Sequence, residues 1–214
     1  MTIHTPSITG TPLDVRPDLA LIASLVPEGA RVLDVGCGDG TLLTLLRETK
    51  NVDGRGIELE RERVNEALAR GVPVIQGDAD ADLVHYPDGS FDVTVLSKTL
   101  QATRDTRGVL DNLVRIGRRA IVSVPNFGHW RARLQLAVGG RMPVNRHMPY
   151  SWWDTPNIHF CTLRDFETLC GVVGAKVEER HVLRGDGEPV GAWANIPPLA
   201  NAMGQQAVFV LSRE

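Results

Sequence analysis

The string Val32-Leu-Asp-Val-Gly-Cys-Gly-Asp-Gly40 limits what this chain can fold into more than any other feature. Arg31 to Val35 is an apolar, β-branched run that reads as a strand, and Thr41 to Leu46 resumes with leucines at helical spacing. The glycines between them let the backbone turn tightly and approach a ligand closely. A strand that turns through glycines into a helix opens a βαβ unit. The rhythm continues: Gly54 to Glu58, Val72 to Gln76, Phe91 to Leu96 and Ala120 to Val124 read as strands. Helices are expected around Val64, Ala67 and Leu68, over Val109 to Val114, and, ahead of the first strand, over Leu19, Ile22, Ala23 and Val26 up to Pro27. Right-handed crossovers then require a parallel sheet covered by helices on both faces. Ala175 to Leu183 and Gln206 to Ser212 alternate like strands and are expected to pair antiparallel at the sheet edge. The reading is an α/β, three-layer Rossmann-like fold with a mostly parallel seven-stranded sheet and an antiparallel final strand. With 214 residues, a single domain spanning 1–214 is expected.

Composition excludes several classes. With 43% hydrophobic and 23% charged residues the chain can build a core and is far from disordered composition. A formal charge of -3 argues against binding along nucleic acid or anionic lipid. Cys37, Cys161 and Cys170 cannot all pair and lack metal-ligand spacing, so neither a disulfide framework nor a metal site is expected. The opening MTIHTPSITG lacks signal-peptide character, and no run of about 18 apolar residues occurs. These features point to the cytoplasm and away from a membrane.

The glycine loop is not a dinucleotide fingerprint. Its glycines fall at 36, 38 and 40, and Asp39 stands where a pyrophosphate would meet the helix N-terminus. A carboxylate there repels phosphate. A ligand free of phosphate with cationic groups near Asp34 fits better, which describes S-adenosylmethionine with its ammonium and sulfonium. Glu58 ends the second strand, where a carboxylate can accept from ribose hydroxyls, and Asp78, beside Ala79 after the third strand, could accept from an adenine amino group. Taken singly, Glu58 could be a solvated strand end and Asp78 a turn residue. The expected cofactor set is Asp34, Gly36, Cys37, Gly38, Glu58, Asp78, Ala79 and Ser97, for S-adenosylmethionine or S-adenosylhomocysteine. No histidine is placed in sequence to activate Cys37, so it reads as a small loop residue.

Aromatics are only 5% of the chain, and most lie together: Phe127, Trp130, Tyr150, Trp152, Trp153, Phe160 and Phe166. Between Phe127 and Phe160 stand Arg131, Arg133, Arg141 and Arg146 against Asp154 alone. The strand and helix rhythm breaks here, so 127–161 reads as an insertion after the fifth strand. Trp130, Leu134, Ala137 and Val138 have helical spacing up to Gly139-Gly140, and Thr162 with Asp165 forms a capping-box pair that starts the next helix. Aromatic and arginine enrichment marks binding surfaces, although clustered core aromatics would look the same. The link from Gly185 to Gly204, with three prolines and Trp193, is expected to be an exposed excursion.

From Arg31 to Val124 the residues resemble class I S-adenosylmethionine-dependent methyltransferases. After the fourth strand, Leu96-Ser-Lys-Thr-Leu-Gln101 lacks both the histidine pair common in small-molecule members and the Asn-Pro-Pro-Tyr-like motif of nitrogen methylators. Gln101 cannot serve as a general base. His129, His147 and His159 are available, yet a histidine in an aromatic segment is more often packed and hydrogen-bonded, and no catalytic residue is assigned. The strings Gly71-Val-Pro-Val-Ile-Gln-Gly-Asp-Ala-Asp80, Leu96-Ser-Lys-Thr-Leu-Gln101, Pro125-Asn-Phe-Gly-His-Trp-Arg131, Gly140-Arg-Met-Pro143 and Asp154-Thr-Pro-Asn-Ile-His159 are similar to the methionine biosynthesis protein family MetW, over about Arg31 to Arg180. Lys98 departs from the Gln expected there. The resemblance implies an accessory role with homoserine O-acyltransferase, which acylates L-homoserine from an acetyl or succinyl coenzyme A ester. His129, Trp130, Arg131, Arg133, Trp152 and Trp153 are the candidates for the partner surface. The alternative is a methyltransferase acting on a small molecule, with 127–161 as its lid.

Overall fold

The computed structural model describes residues 16–144, 149–191 and 196–213. The leader, Arg146, His147 and Trp193 lie outside the described residues. Helix α1 (Pro17–Leu25) begins with proline at its first position, where a missing N–H costs nothing. Strand β1 (Arg31–Val35) leads through the glycine loop to α2 (Thr41–Lys50), then β2 (Asp53–Glu58), α3 (Arg61–Ala69) and β3 (Val74–Gln76). A short α4 (Ala79–Asp82) precedes β4 (Phe91–Ser97), which is followed by α5 (Thr106–Ile116) and β5 (Gly117–Pro125). Strand β3 starts later than the pattern suggests because Pro73 has no N–H for the ladder and serves only as an acceptor, from Gly56 N at 2.8 Å.

The chain then forms α6 (Trp130–Gly139), α7 (Leu163–Val172), β6 (Ala175–Leu183), α8 (Pro197–Met203) and β7 (Gln206–Arg213). The expected Thr162 and Asp165 capping box is present, with each side chain accepting from the other residue's backbone N–H. Gly140 closes α6 in the left-handed conformation that favours glycine. The seven strands lie in the order β3-β2-β1-β4-β5-β7-β6. The first five are parallel, while β7 runs antiparallel to both β5 and β6. The seven-stranded sheet and the antiparallel pairing of the last two strands match the expectation.

Alternate residues of the strands β1, β4, β5 and β7 feed two cores. Leu33, Val35, Leu96, Val122 and Phe209 pack on one face with α5 and α7, whereas Val32, Val95, Ile121 and Val210 pack on the other with α1 and α2. Period-two alternation with both faces apolar is what a sheet covered twice requires. Phe166 of α7 meets Phe209 of β7 at 4.6 Å between ring centroids, both fully buried. The Gly185 to Gly204 link corrects the expectation of a wholly exposed excursion. Pro197-Pro198 starts α8, Gly204 follows it, and Ala200 is buried against the α7 side of the sheet.

Candidate functional site at the carboxyl ends of the strands

Asp34 sits on β1 near the middle of the sheet, opposite Gly56 on β2 and Val95 on β4. It is 2% exposed, and its Oδ1 is buried with no hydrogen-bond partner. Burial, reinforced by the charge of Glu58, pushes its carboxyl up to about 7. An acceptor left in this state is costly. Asp34 thus leaves one buried acceptor unmet.

The glycine loop builds the wall beside it. Gly36 has φ +71°, and a Cβ there would stand 2.6 Å from Thr99 Oγ1, so glycine is required by both conformation and space. Cys37 Sγ packs against Gly56 so closely that a Cβ on Gly56 would lie 2.5 Å away. Burial, followed by the charges of Asp34 and Glu58, pushes the Cys37 thiol far up, which suits the small loop residue expected and not a nucleophile. Asp39 accepts from Thr41 N at 3.2 Å, Thr41 Oγ1 at 2.8 Å and Arg70 at 2.7 Å. Burial pushes its carboxyl up, but those hydrogen bonds and the Arg70 charge outweigh it and hold it below the usual value. The start of α2 thus carries a fixed negative charge, hostile to phosphate.

Glu58 accepts from three backbone N–H groups: Gly38 at 2.8 Å on Oε2, and Leu59 at 2.8 Å and Glu60 at 3.0 Å on Oε1. A carboxylate offers about four acceptor positions. One remains, so a ribose diol would have to share or displace a backbone donor to engage it with both hydroxyls. Asp78 caps α4 by accepting from Asp80 N at 2.9 Å.

These elements enclose two adjoining hollows. One, of about 410 Å³, is lined by Asp34, Gly36, Cys37, Gly38, Glu58 and Ser97 together with Arg16, Asp39, Lys98 and Thr99. The other, of about 250 Å³, is lined by Gly36, Glu58, Asp78 and Ala79 with Leu59, Lys98, Thr99, Ala102 and Thr103. Every residue of the expected cofactor set lines one or both. Arg16 and Lys98 were not legible as site residues. They meet through Asp18 of α1, which is 3% exposed: Lys98 Nζ lies 2.8 Å from Asp18 Oδ2, and Arg16 donates to both carboxylate oxygens at 3.1 and 2.8 Å. Among the described residues, nothing from 127–161 lines either hollow, and no cluster of three or more His, Cys, Asp or Glu is arranged to hold a metal.

The 127–161 segment presents its apolar residues outward. Only Ala132 of α6 is buried, while Trp130, Leu134 and Val138 are exposed despite their helical spacing. Trp152 and Trp153, each 67% exposed, meet edge-on with centroids 5.7 Å apart. The Arg131 guanidinium lies 5.4 Å from the centre of the Trp130 ring. Arg133 folds back to donate to the Gly128 carbonyl, and His129 caps α6, its Nδ1 accepting from Arg131 N at 3.3 Å. His159 approaches the Arg104 carbonyl at 3.2 Å. Of the clustered aromatics, Phe166 alone is a core residue; Phe127 and Phe160 pair with each other at 4.4 Å.

The family model for methionine biosynthesis protein MetW matches residues 16–211. The chain belongs to the MetW family. Among curated proteins, the bifunctional methionine biosynthesis protein MetXA/MetW of Rhodopirellula baltica is 33% identical over 176 residues, covering 78% of this chain. This MetW chain spans 28% of the length of that relative. Among solved structures, an S-adenosylmethionine-dependent methyltransferase from Mesorhizobium loti superimposes with TM-score 0.67 at 18% identity, covering 94% of this chain and 100% of that one. Magnesium protoporphyrin IX methyltransferase from Synechocystis, solved with bound S-adenosylhomocysteine, gives 0.60 at 16% identity over 92% and 80%. At these identities the likeness establishes the methyltransferase fold. No helix among the described residues of this MetW protein is long and apolar enough to cross a membrane.

Proposed function

We propose that this MetW protein is a methionine-biosynthesis accessory subunit that associates in the cytoplasm with homoserine O-acyltransferase and supports acyl transfer to homoserine. The family membership carries this reading, and the Rhodopirellula relative supports it by joining MetXA and MetW in one bifunctional chain. We read the MetXA portion as the acyltransferase. The partner surface is the 127–161 segment, where Trp130, Trp152 and Trp153 stand exposed beside Arg131. Rigid aromatics and arginine of this kind supply most of the affinity of typical interfaces.

The two hollows fit S-adenosylmethionine or S-adenosylhomocysteine. The orphaned Asp34 Oδ1 supports this, since a buried carboxylate without a donor suits a ligand ammonium. Asp34 would hold that ammonium, Glu58 the ribose hydroxyls and Asp78 an adenine amino group. When bound, the sulfonium of S-adenosylmethionine makes its methyl group transferable. The residues around it supply binding and charge; Arg16 and Lys98 add positive charge on the side facing α1. The alternative, a small-molecule methyltransferase lidded by 127–161, has less support, because the described walls of the hollows come from residues 16 to 103.

The test is acyl transfer to homoserine with and without this protein, alongside co-elution of the two. A higher rate with co-elution is expected. An unchanged rate with no co-elution would overturn the reading.

A further inference from the structure

We propose that the loop Lys98–Arg104 links the ligand hollows to the 127–161 segment, so that a ligand in the hollows changes how residues 158–160 are held against the body of the protein. This rests on the nucleotide reading of the hollows and not on the identity of the partner.

The loop has two working sides. Toward the hollows, Lys98 and Thr99 line both, Ala102 and Thr103 line the second, and Thr99 presses against Gly36. Toward the segment, the Gln101 carbonyl accepts from Ile158 N at 2.8 Å and His159 N at 3.0 Å, and the Arg104 carbonyl lies 3.2 Å from His159 Nε2. The two sides are tied together by the Gln101 side chain, which is 6% exposed and donates from Nε2 to the Lys98 carbonyl at 2.6 Å. At the far end of the loop, the Asp80 carboxylate on the wall of the second hollow accepts from Arg104 N and Asp105 N.

Two observations indicate that this arrangement is poised and not merely rigid. Lys98 holds φ +55°, a left-handed conformation uncommon for a residue with a side chain. Its N–H donates to the Ser123 carbonyl and Oγ, at 3.1 and 3.0 Å, and its ammonium is drawn to Asp18. A conformation maintained by its surroundings responds when one of them changes, and the ligand space is one of them. Gln101 Oε1 is buried without a hydrogen-bond partner, so the amide that bridges the loop has an unmet acceptor. A ligand that alters the balance at Lys98 moves the carbonyl to which Gln101 is tied, and with it the support under Ile158 and His159. By linkage, a binder of 127–161 whose affinity changes when the hollows are filled alters ligand affinity by the same factor.

The experiment measures amide hydrogen exchange at Ile158 and His159 in the full chain while S-adenosylhomocysteine is titrated, with occupancy followed by calorimetry. Both amides should exchange about fivefold more slowly at saturation, the lower end of typical coupling. Gln101→Ala should keep ligand affinity within about twofold and lose most of that response. His159→Ala, at an exposed position where folding is not at issue, should weaken the response at Ile158. Saturation by calorimetry with unchanged exchange at both amides overturns the linkage and leaves the nucleotide reading standing. Absence of binding heat at two well-separated temperatures, together with unchanged exchange, overturns both.

Discussion

The Lys98 ammonium lies 2.8 Å from the Asp18 carboxylate, which fastens the loop after β4 to helix α1 beside the glycine loop. Asp18 is buried, and although burial pushes its carboxyl up, the hydrogen bonds from Arg16 and Lys98 outweigh it and hold it below the usual value. Its stabilising contribution is therefore present above the ordinary carboxylate range and is lost as pH falls through the lowered value. Asp18→Ala should cost about 2–3 kcal/mol, since it strands two cations near a buried site. Lys98→Met should cost about 1 kcal/mol or less, because Arg16 stays with Asp18 and Lys98 is partly solvated. Thermal or urea unfolding of both variants checks the order.

Asp34 has the opposite sign. Its raised value means that the folded protein holds the proton more tightly, so its contribution to stability is full below the ordinary value of 3.8 and is lost as pH rises through about 7. The loss is on the order of a few kcal/mol. A ligand ammonium needs the carboxylate, so affinity for S-adenosylhomocysteine should rise up to about tenfold per pH unit below 7 and level off above it. Asp34→Asn should flatten both profiles, as read by calorimetry and by unfolding across pH.

Gly36→Ala and Gly29→Ala separate strain from crowding. Both glycines have positive φ, +71° and +68°, but only at Gly36 does a Cβ meet a neighbour, Thr99 Oγ1 at 2.6 Å. Gly29→Ala should cost about 1 kcal/mol from conformation alone. Gly36→Ala should cost at least about 1 kcal/mol more and should weaken nucleotide binding, which Gly29→Ala should not.

Trp152→Ala and Trp153→Ala should leave stability within about 0.5 kcal/mol, as expected for exposed positions. If the proposed association with the acyltransferase holds, each should lower that affinity about tenfold or more. Phe166→Ala, in the same stretch of sequence, should instead cost about 3–5 kcal/mol of stability. Unfolding and co-elution measured on the same three variants distinguish an interface from a core.

Strand positions were legible because apolar alternation is a local signal. Arg31 to Val35 matches β1 residue for residue, and Thr162 with Asp165 announced α7 through side chains three apart. The hollows were partly legible, since glycine spacing and strand-end carboxylates also occupy short stretches. Arg16 and Lys98 were not: Lys98 joins Arg16 on Asp18 only after folding brings the loop that follows β4 against α1, and no local pattern encodes that approach. The facing of α6 was also hidden. Trp130, Leu134 and Val138 have the spacing of a core stripe, and periodicity does not tell a buried stripe from one awaiting a partner. Helix α8 was masked by prolines that read as a loop but stand at a helix start, where proline is favoured.

Strand β5 and helix α7 grip the two ends of 127–161, and α6 contributes only Ala132 to the interior between them. Lengthening a connection anchored in this way costs little, about 0.6 kcal/mol per doubling. Apart from the residues bonded to the body, such as Ile158 and His159 on the Gln101 carbonyl, its exposed side chains can be changed with little effect on the sheet that carries the segment. Selection on its exposed tryptophans and on Arg131 then comes from whatever they meet, so that under the proposed role a change of partner requires a new surface on an old frame, with no new fold.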